Sequence, residues 1–245
     1  MQNLKYIVVV CFLFIACNSK KTETANAIVD KAIEVAGGEK YVTAEIDFNF
    51  RDKHYKAIRD TEKYQYERVF KDSVSIIRDV LNNKGFTRFI DDKAITIADS
   101  VAVKYEASVN SVHYFALLPY GLNDSAVIKN KLGEVVVKGK KYHKIKVTFN
   151  QEGGGEDYED VFVYWINSET YTVDYLAYSY QEVSGVGMRF REAYNVRIVN
   201  GLRFVDYNNY APKDKSLHLI ETDKAFEKGN LKLLSKIELK DIIVK

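Results

Sequence analysis

From Thr43 onward the apolar residues of this chain recur every second position, and that period limits the fold more than any other feature. The stretch "EIDFNF" sets Ile46, Phe48 and Phe50 against Glu45, Asp47 and Asn49. "KYQYERVF" puts Tyr64, Tyr66 and Phe70 on one face. Alternation of this kind is the mark of a half-buried strand, because successive side chains point to opposite faces. "IIRDVL", "FTRFI" and "AITI" follow, separated by the turn residues "NNKG" and "DDK". After an interruption the pattern resumes in "GEVVVKG", "YHKIKVTF", "YEDVFVYWIN", "YTVDYLAYSY", "GMRFREAYNVRIV" and "LRFVDYNNY", and "LLSKIELKDIIV" reads as a final strand. The connections carry turn chemistry at Gly139-Lys140, Ser168-Glu169, Ser184-Gly185 and Asn200-Gly201. Asn-Gly between strand-like runs is a strong hairpin signal. The 18 tyrosines and 13 phenylalanines suit pleated, half-buried surfaces.

Three stretches break the period. "ANAIVDKAIEVAGG" carries one apolar stripe at Ala25, Ile28, Val29, Ala32, Ile33 and Ala36, a helix that Gly37-Gly38 ends. Asp99 opens "DSVAVKYEASVNSVHYFALLPYG", in which Val101, Tyr105, Val109, Val112 and Ala116 recur at three or four. Asp99 reads as its N-cap, and Pro119 with Gly121 as its end. The far end of this helix, "HYFALLPYGL", is apolar nearly all round, so it is buried on more than one side or lines a cavity. Short helices are also expected over about Ala126–Leu132 and Glu221–Lys228. The fold class is therefore mainly β within α+β: a large curved antiparallel sheet of about ten or eleven strands, curled into an open half-barrel with helices on its concave face.

The start of the chain is of another kind. Lys5 is the one charge ahead of an apolar run from Tyr6 to Ala16, too short to span a bilayer, which takes about 20 residues. This reads as a secretory signal over residues 1–16. Its end, Phe14-Ile15-Ala16-Cys17, resembles a bacterial lipobox, with Phe where Leu is usual, and implies that Cys17 becomes the lipidated first residue. Residues 17–24 form the lipidated cysteine and a polar tether, and 25–245 a single β-rich domain. Cys11 and Cys17 are the only cysteines, so the domain has no disulfide, thiol nucleophile or cysteine zinc site. Removing residues 1–16 lowers the formal charge from +2 to +1, which gives nucleic acid no electrostatic purchase.

Motifs for chemistry are scarce. "EGGGEDYED", residues 152–160, has acids where a P-loop needs Lys-Ser/Thr, and leads into a strand rather than a helix. Its acids do not follow calcium-loop spacing. It reads as a hairpin loop whose acids keep a sheet rim solvated. His54, His113, His143 and His218 fall in no zinc pattern, and His113 reads as a buried, hydrogen-bonded residue. No nucleophile elbow is present. No catalytic residue, metal or cofactor is expected. The informative stretch lies just downstream. From Val161 to Ile166 both strand faces are apolar, Val161, Val163 and Trp165 on one and Phe162, Tyr164 and Ile166 on the other. The next strand sets Tyr171, Val173, Tyr175 and Ala177 against Leu176, Tyr178 and Tyr180. An antiparallel strand ordinarily shows one polar face, so both faces here are covered, by helices, by sheet or by an apolar ligand.

The segments "AIEVAGGEKY", "DFNFRDKHY", "VNSVHYFALLPYGLND", "KVTFNQEGGGEDYEDVFVYWIN" and "FREAYNVRIVNGLRFVDYNNY" resemble an uncharacterised family of Bacteroidota envelope lipoproteins over almost the whole mature chain. More remotely, the order of helix, meander, inserted helix and late hairpin is similar to the lipoprotein-sorting carriers of the LolA/LolB type. That likeness implies an open half-barrel with helices in its mouth and an apolar cavity for acyl chains; no site residue transfers with it. The expected protein is a monomeric, non-enzymatic lipoprotein on the periplasmic face of the outer membrane, since Asn18-Ser19-Lys20-Lys21 lacks the acidic stretch of surface export. It would hold an acyl chain or other apolar molecule against Tyr114, Phe115, Leu118, Trp165 and Tyr178. The alternative is a glycan- or protein-binding lipoprotein that uses Tyr and Trp as exposed platforms.

Overall fold

A computed structural model of the chain describes residues 23–156, 158–182 and 185–245. The expected signal segment, Cys17 and the tether up to residue 22 lie outside the described residues. Glu23 and Thr24, expected at the end of the tether, are already engaged with the domain. Lys31 Nζ lies 2.6 Å from Glu23, and Thr24 Oγ1 caps the first helix by accepting from Ala27 N–H at 3.2 Å. Among the described residues no helix is long and apolar enough to cross a membrane.

The architecture is mainly β, antiparallel and open, as the alternation requires. Among the described residues fourteen strands form two seven-stranded sheets. The first is a meander of β1 (Glu45–Phe50), β2 (Lys53–Asp60), β3 (Lys63–Lys71), β4 (Ile76–Asn82), β5 (Gly85–Ile90) and β6 (Lys93–Ile95). The second runs through β7 (Val127–Val137), β8 (Lys140–Phe149), β9 (Val161–Asn167), β10 (Val173–Glu182), β11 (Gly185–Val199) and β12 (Leu202–Pro212). The last strand of the sequence reading is in fact two, β13 (Leu231–Ile237) beside β12 and β14 (Leu239–Val244) beside β1. They are separated only by Glu238, so the chain steps from one sheet to the other and makes their inner faces continuous.

A buried carboxylate fixes that step. Asp206 of β12 accepts from Leu239 N–H at 3.0 Å, from Asn195 Nδ2 at 2.6 Å and from Arg197 at 2.7 and 3.0 Å. The Asn200-Gly201 hairpin forms as expected, with φ of 46° and 84° at its two central residues. Gly37, which ends the first helix at φ 142°, sits against that hairpin: a Cβ there would run into Leu202 and come within 3.1 Å of the Gly201 carbonyl.

Helix α1 (Ala25–Ala36) buries Ile28, Val29, Ala32 and Ala36, the stripe that the sequence shows. Helix α2 (Asp99–Ala116) begins one residue earlier than expected, with Ala98 at the cap and Asp99 in the first turn, where its charge complements the helix dipole. Helix α3 (Thr222–Glu227) falls inside its expected range. The helix expected over Ala126–Leu132 is instead the start of the edge strand β7. Ile128 and Leu132 are 41% and 44% exposed there, while Lys129 and Lys131 turn inward on their long stems. Lys129 Nζ donates to the Leu122 carbonyl at 2.8 Å and to Asn123 Oδ1 at 2.7 Å. An edge strand with lysines inside and aliphatics outside conceals its own period.

Candidate functional site

The two-sided apolar strands resolve into two different covers. Phe162, Tyr164, Ile166 and Leu176 pack in one apolar cluster with α1 and the residues that follow α2. Val163, Trp165, Tyr175 and Ala177 pack in another with Ala225, Leu231 and Phe226. Val173 joins the first cluster rather than following Tyr175, because a register shift between Val173 and Tyr175 reverses the phase of β10.

Between the C-terminal half of α2 and the joined inner faces lies a cavity of about 570 Å³. Ser111, Val112, Tyr114, Phe115 and Ala116 of α2 form its roof. Phe162, Tyr178, Arg191, Val205, Tyr207 and Asn209 of β9 to β12 form one wall. Ser235, Ile237, Leu239 and Phe50 complete it where the sheets meet. The rings interlock: Phe162 stacks on Tyr178 at 5.3 Å between centroids, Phe115 lies tilted against Tyr178 at 5.3 Å, and Tyr114 meets Phe162 edge-on at 5.6 Å. Tyr114 and Tyr164 share a hydroxyl–hydroxyl hydrogen bond of 2.6 Å, and burial pushes both phenols well above their ordinary range.

One charged side chain stands inside this wall. Arg191 is 7% exposed, and its guanidinium lies 3.7 Å from the Phe115 ring centre. Its Nη2 donates to the Tyr178 hydroxyl at 2.9 Å, while its buried Nε has no partner. Burial draws its pKa below the usual arginine range. Asn209, its register partner on β12, donates to Ser235 Oγ at 3.2 Å and leaves a buried Oδ1 without a partner.

The "EGGGEDYED" loop borders the mouth. Gly154, Glu156, Glu159 and Asp160 line the cavity there. Gly153 and Gly155 hold positive φ, and a Cβ on Gly154 would run into the Asn150 carbonyl and lie 2.7 Å from Tyr158 Cβ. The loop is part of the connection between β8 and β9, with Asp157 outside the described residues. Among the described residues no group of three or more metal-ligating side chains comes together. His113 is fully buried on the inner side of α2, donates to the Glu67 carbonyl at 3.1 Å and stacks on Tyr66 at 4.4 Å. Desolvation lowers its pKa to about 3, so it is a neutral packing element.

The expected cavity residues divide. Tyr114, Phe115 and Tyr178 line the cavity together. Leu118 lies past the end of α2 and packs in the apolar cluster with Ile28 and Leu122, outside the lining. Trp165 occupies the opposite face of β9, fully buried, with Nε1 donating to Asp223 Oδ2 at 3.1 Å. Lys144 Nζ reaches the same carboxylate at 2.9 Å. Trp165 is thus neither cavity wall nor exposed platform, since alternation alone does not say which face of β9 carries which cover. Sequence reasoning missed Arg191, Asn209 and Ser235. A signal for Arg191 existed: in the hairpin that pairs Glu182 with Gly185, Arg191 falls opposite Leu176, on the covered face.

Several solved structures are similar to this one, the first of them in its fold. A LolA superfamily protein from Nitrosomonas europaea matches at TM-score 0.50 and 12% identity, over 90% of this chain and 93% of its own. A DUF1329 family protein from Desulfovibrio piger matches at TM-score 0.44 and 11% identity, over 91% and 93%. A lipoprotein-sorting protein domain from Vibrio parahaemolyticus matches at TM-score 0.37 and 9% identity, over 82% and 99%. No curated protein matches the sequence. With a match to the family spanning residues 3–239, the chain belongs to DUF6503, a family of unknown function.

Proposed function

We propose that this protein is a membrane-anchored envelope lipoprotein whose single β-rich domain holds one acyl chain or similar apolar ligand between α2 and the joined sheets. The observation that carries this reading is the aromatic-lined cavity of about 570 Å³ beneath Ser111–Ala116. Its volume falls in the range of about 300–1,000 Å³ usual for sites that enclose one small molecule. A fold shared with a LolA superfamily protein supports a carrier or holding role over an enzymatic one. The reading as a glycan platform loses its best candidate, because the one tryptophan is fully buried.

Uptake of the uncharged dye N-phenylnaphthylamine by the delipidated chain tests the cavity. Ser111→Trp inserts a ring from the half-buried face of α2 and should abolish the fluorescence gain with the unfolding midpoint unchanged. Absence of dye uptake by the parent chain would refute the reading.

Anchoring follows from the lipobox-like Phe14–Cys17 segment. Three acyl chains on Cys17 suffice for stable attachment, where one alone is marginal. The anchor holds the domain at the outer membrane, facing the periplasm. Cys17→Ser should shift the protein from the membrane to the soluble fraction; unchanged membrane retention would contradict lipidation there.

A further inference from the structure

Arg191, Asn209 and Ser235 lie side by side across three neighbouring strands. Arg191 of β11 pairs with Asn209 of β12, which pairs with Ser235 of β13. Register partners share a sheet face, and all three line the cavity. They form a polar row among the rings and aliphatic groups of the wall.

The row is incomplete in two places. Arg191 is more than nine-tenths buried, has an unpartnered Nε, and forms no ion pair with any carboxylate among the described residues. Its neighbours are the faces of Phe115, Tyr178 and Tyr207 and one phenolic hydroxyl. Rings stabilise a cation only modestly, and a buried charge is held far better by an opposite charge with hydrogen bonds. Asn209 Oδ1 is an acceptor with nothing donating to it.

We propose that this row is a head-group subsite, and that the cavity ligand is an amphiphile with one anionic head, carboxylate or phosphate monoester, seated head-inward on Arg191. The proposal rests on the cavity reading above and adds polarity and chemical class to it. An oxyanion takes the guanidinium donors of Arg191. Charge sets the orientation. At the mouth the exposed Glu156 and Glu159 outnumber the one exposed cation of the lining, Arg51, and disfavour an anion, whereas Arg191 attracts one within. The tail then lies along Val112, Val205, Ile237 and Phe50.

Displacement of bound N-phenylnaphthylamine by dodecanoate, dodecyl phosphate and dodecanol at pH 8 reads this directly. At least one anion should displace the dye at a concentration about tenfold to a hundredfold lower than the alcohol, the scale of a charge-assisted hydrogen bond in a buried site. Whichever anion is favoured, carboxylate or phosphate, identifies the head. Arg191→Met should remove that advantage and leave the alcohol unchanged, and Arg191→Lys should restore part of it. Equal displacement by alcohol and both anions in the parent chain would overturn the subsite, with or without a folded variant, and leave the cavity reading standing. An anion advantage that survives in Arg191→Met would overturn it equally. A parent chain that takes up neither dye nor amphiphile would overturn both.

Discussion

Arg68 and Arg191 are each 7% exposed and each lie against helix α2, yet their charges are handled in opposite ways. Arg68, on the first sheet, has its Nε 3.0 Å and its Nη2 2.6 Å from the fully buried Asp79. Arg88 approaches the same carboxylate at 2.7 and 3.0 Å, and Arg68 Nη1 donates to Ser108 of α2 at 2.7 Å. Arg191, on the second sheet, faces rings and a cavity. The first arrangement fastens the middle of α2 to its sheet. The second leaves the last turns of the helix as the roof of the cavity, with a cation beneath it. A satisfied buried charge reads as structure and an unsatisfied one as a site, although burial alone does not separate them.

That contrast can be broken most forcefully at Asp79. Asp79→Ala strands two arginines under α2 and should cost about 3–5 kcal/mol in chemical denaturation. A loss near zero would mean that the helix is not fastened there.

His113, on the fastened side, gives a pH signature. Its ring faces Phe48, Tyr55 and Tyr66, with Arg68 nearby, and its folded pKa of about 3 lies below its ordinary 6.5. The unfolded chain therefore takes up a proton that the folded chain refuses. The contribution is whole above pH 6.5 and is lost as pH falls toward 3, at about 1.4 kcal/mol per pH unit through most of that window. His113→Gln should flatten this slope relative to the parent, whatever its own stability; parallel slopes between pH 6 and 4 would show that the ring is protonated in the fold.

On the open side the effects are smaller. Tyr114→Phe leaves the buried Tyr164 hydroxyl without its partner and should cost about 1–3 kcal/mol. Arg191→Met removes a cation that no carboxylate balances, so ligand-free stability should stay within about 2 kcal/mol of the parent, the scale of the desolvated cation–π contact it loses. A loss as large as that of Asp79→Ala would make Arg191 structural and erase the contrast.

How much of this was legible in the sequence differs along the chain. Where the covered face is apolar and the open face polar, as in β1 or α1, the period can be read directly. The Asn200-Gly201 turn is legible for a local reason, since its backbone needs positive φ at both positions. β7 was not legible, because Lys129 and Lys131 occupy the inner side. The split between β13 and β14 was not either, because Asp206, far away in sequence, draws Leu239 out of line. At the site, Tyr114, Phe115 and Tyr178 follow from the apolar end of α2 and the covered face of β10. Trp165 does not, because its cover comes from α3, and nothing local to β9 reveals that. Arg191 looks like an ordinary outward charge until the hairpin register puts it opposite Leu176.

The most direct test of an acyl-holding cavity is native mass spectrometry of the delipidated chain mixed with a long-chain fatty acid. The parent should carry one fatty acid per chain, and Ser111→Trp none. No adduct on the parent, or equal adducts on parent and variant, would contradict the account.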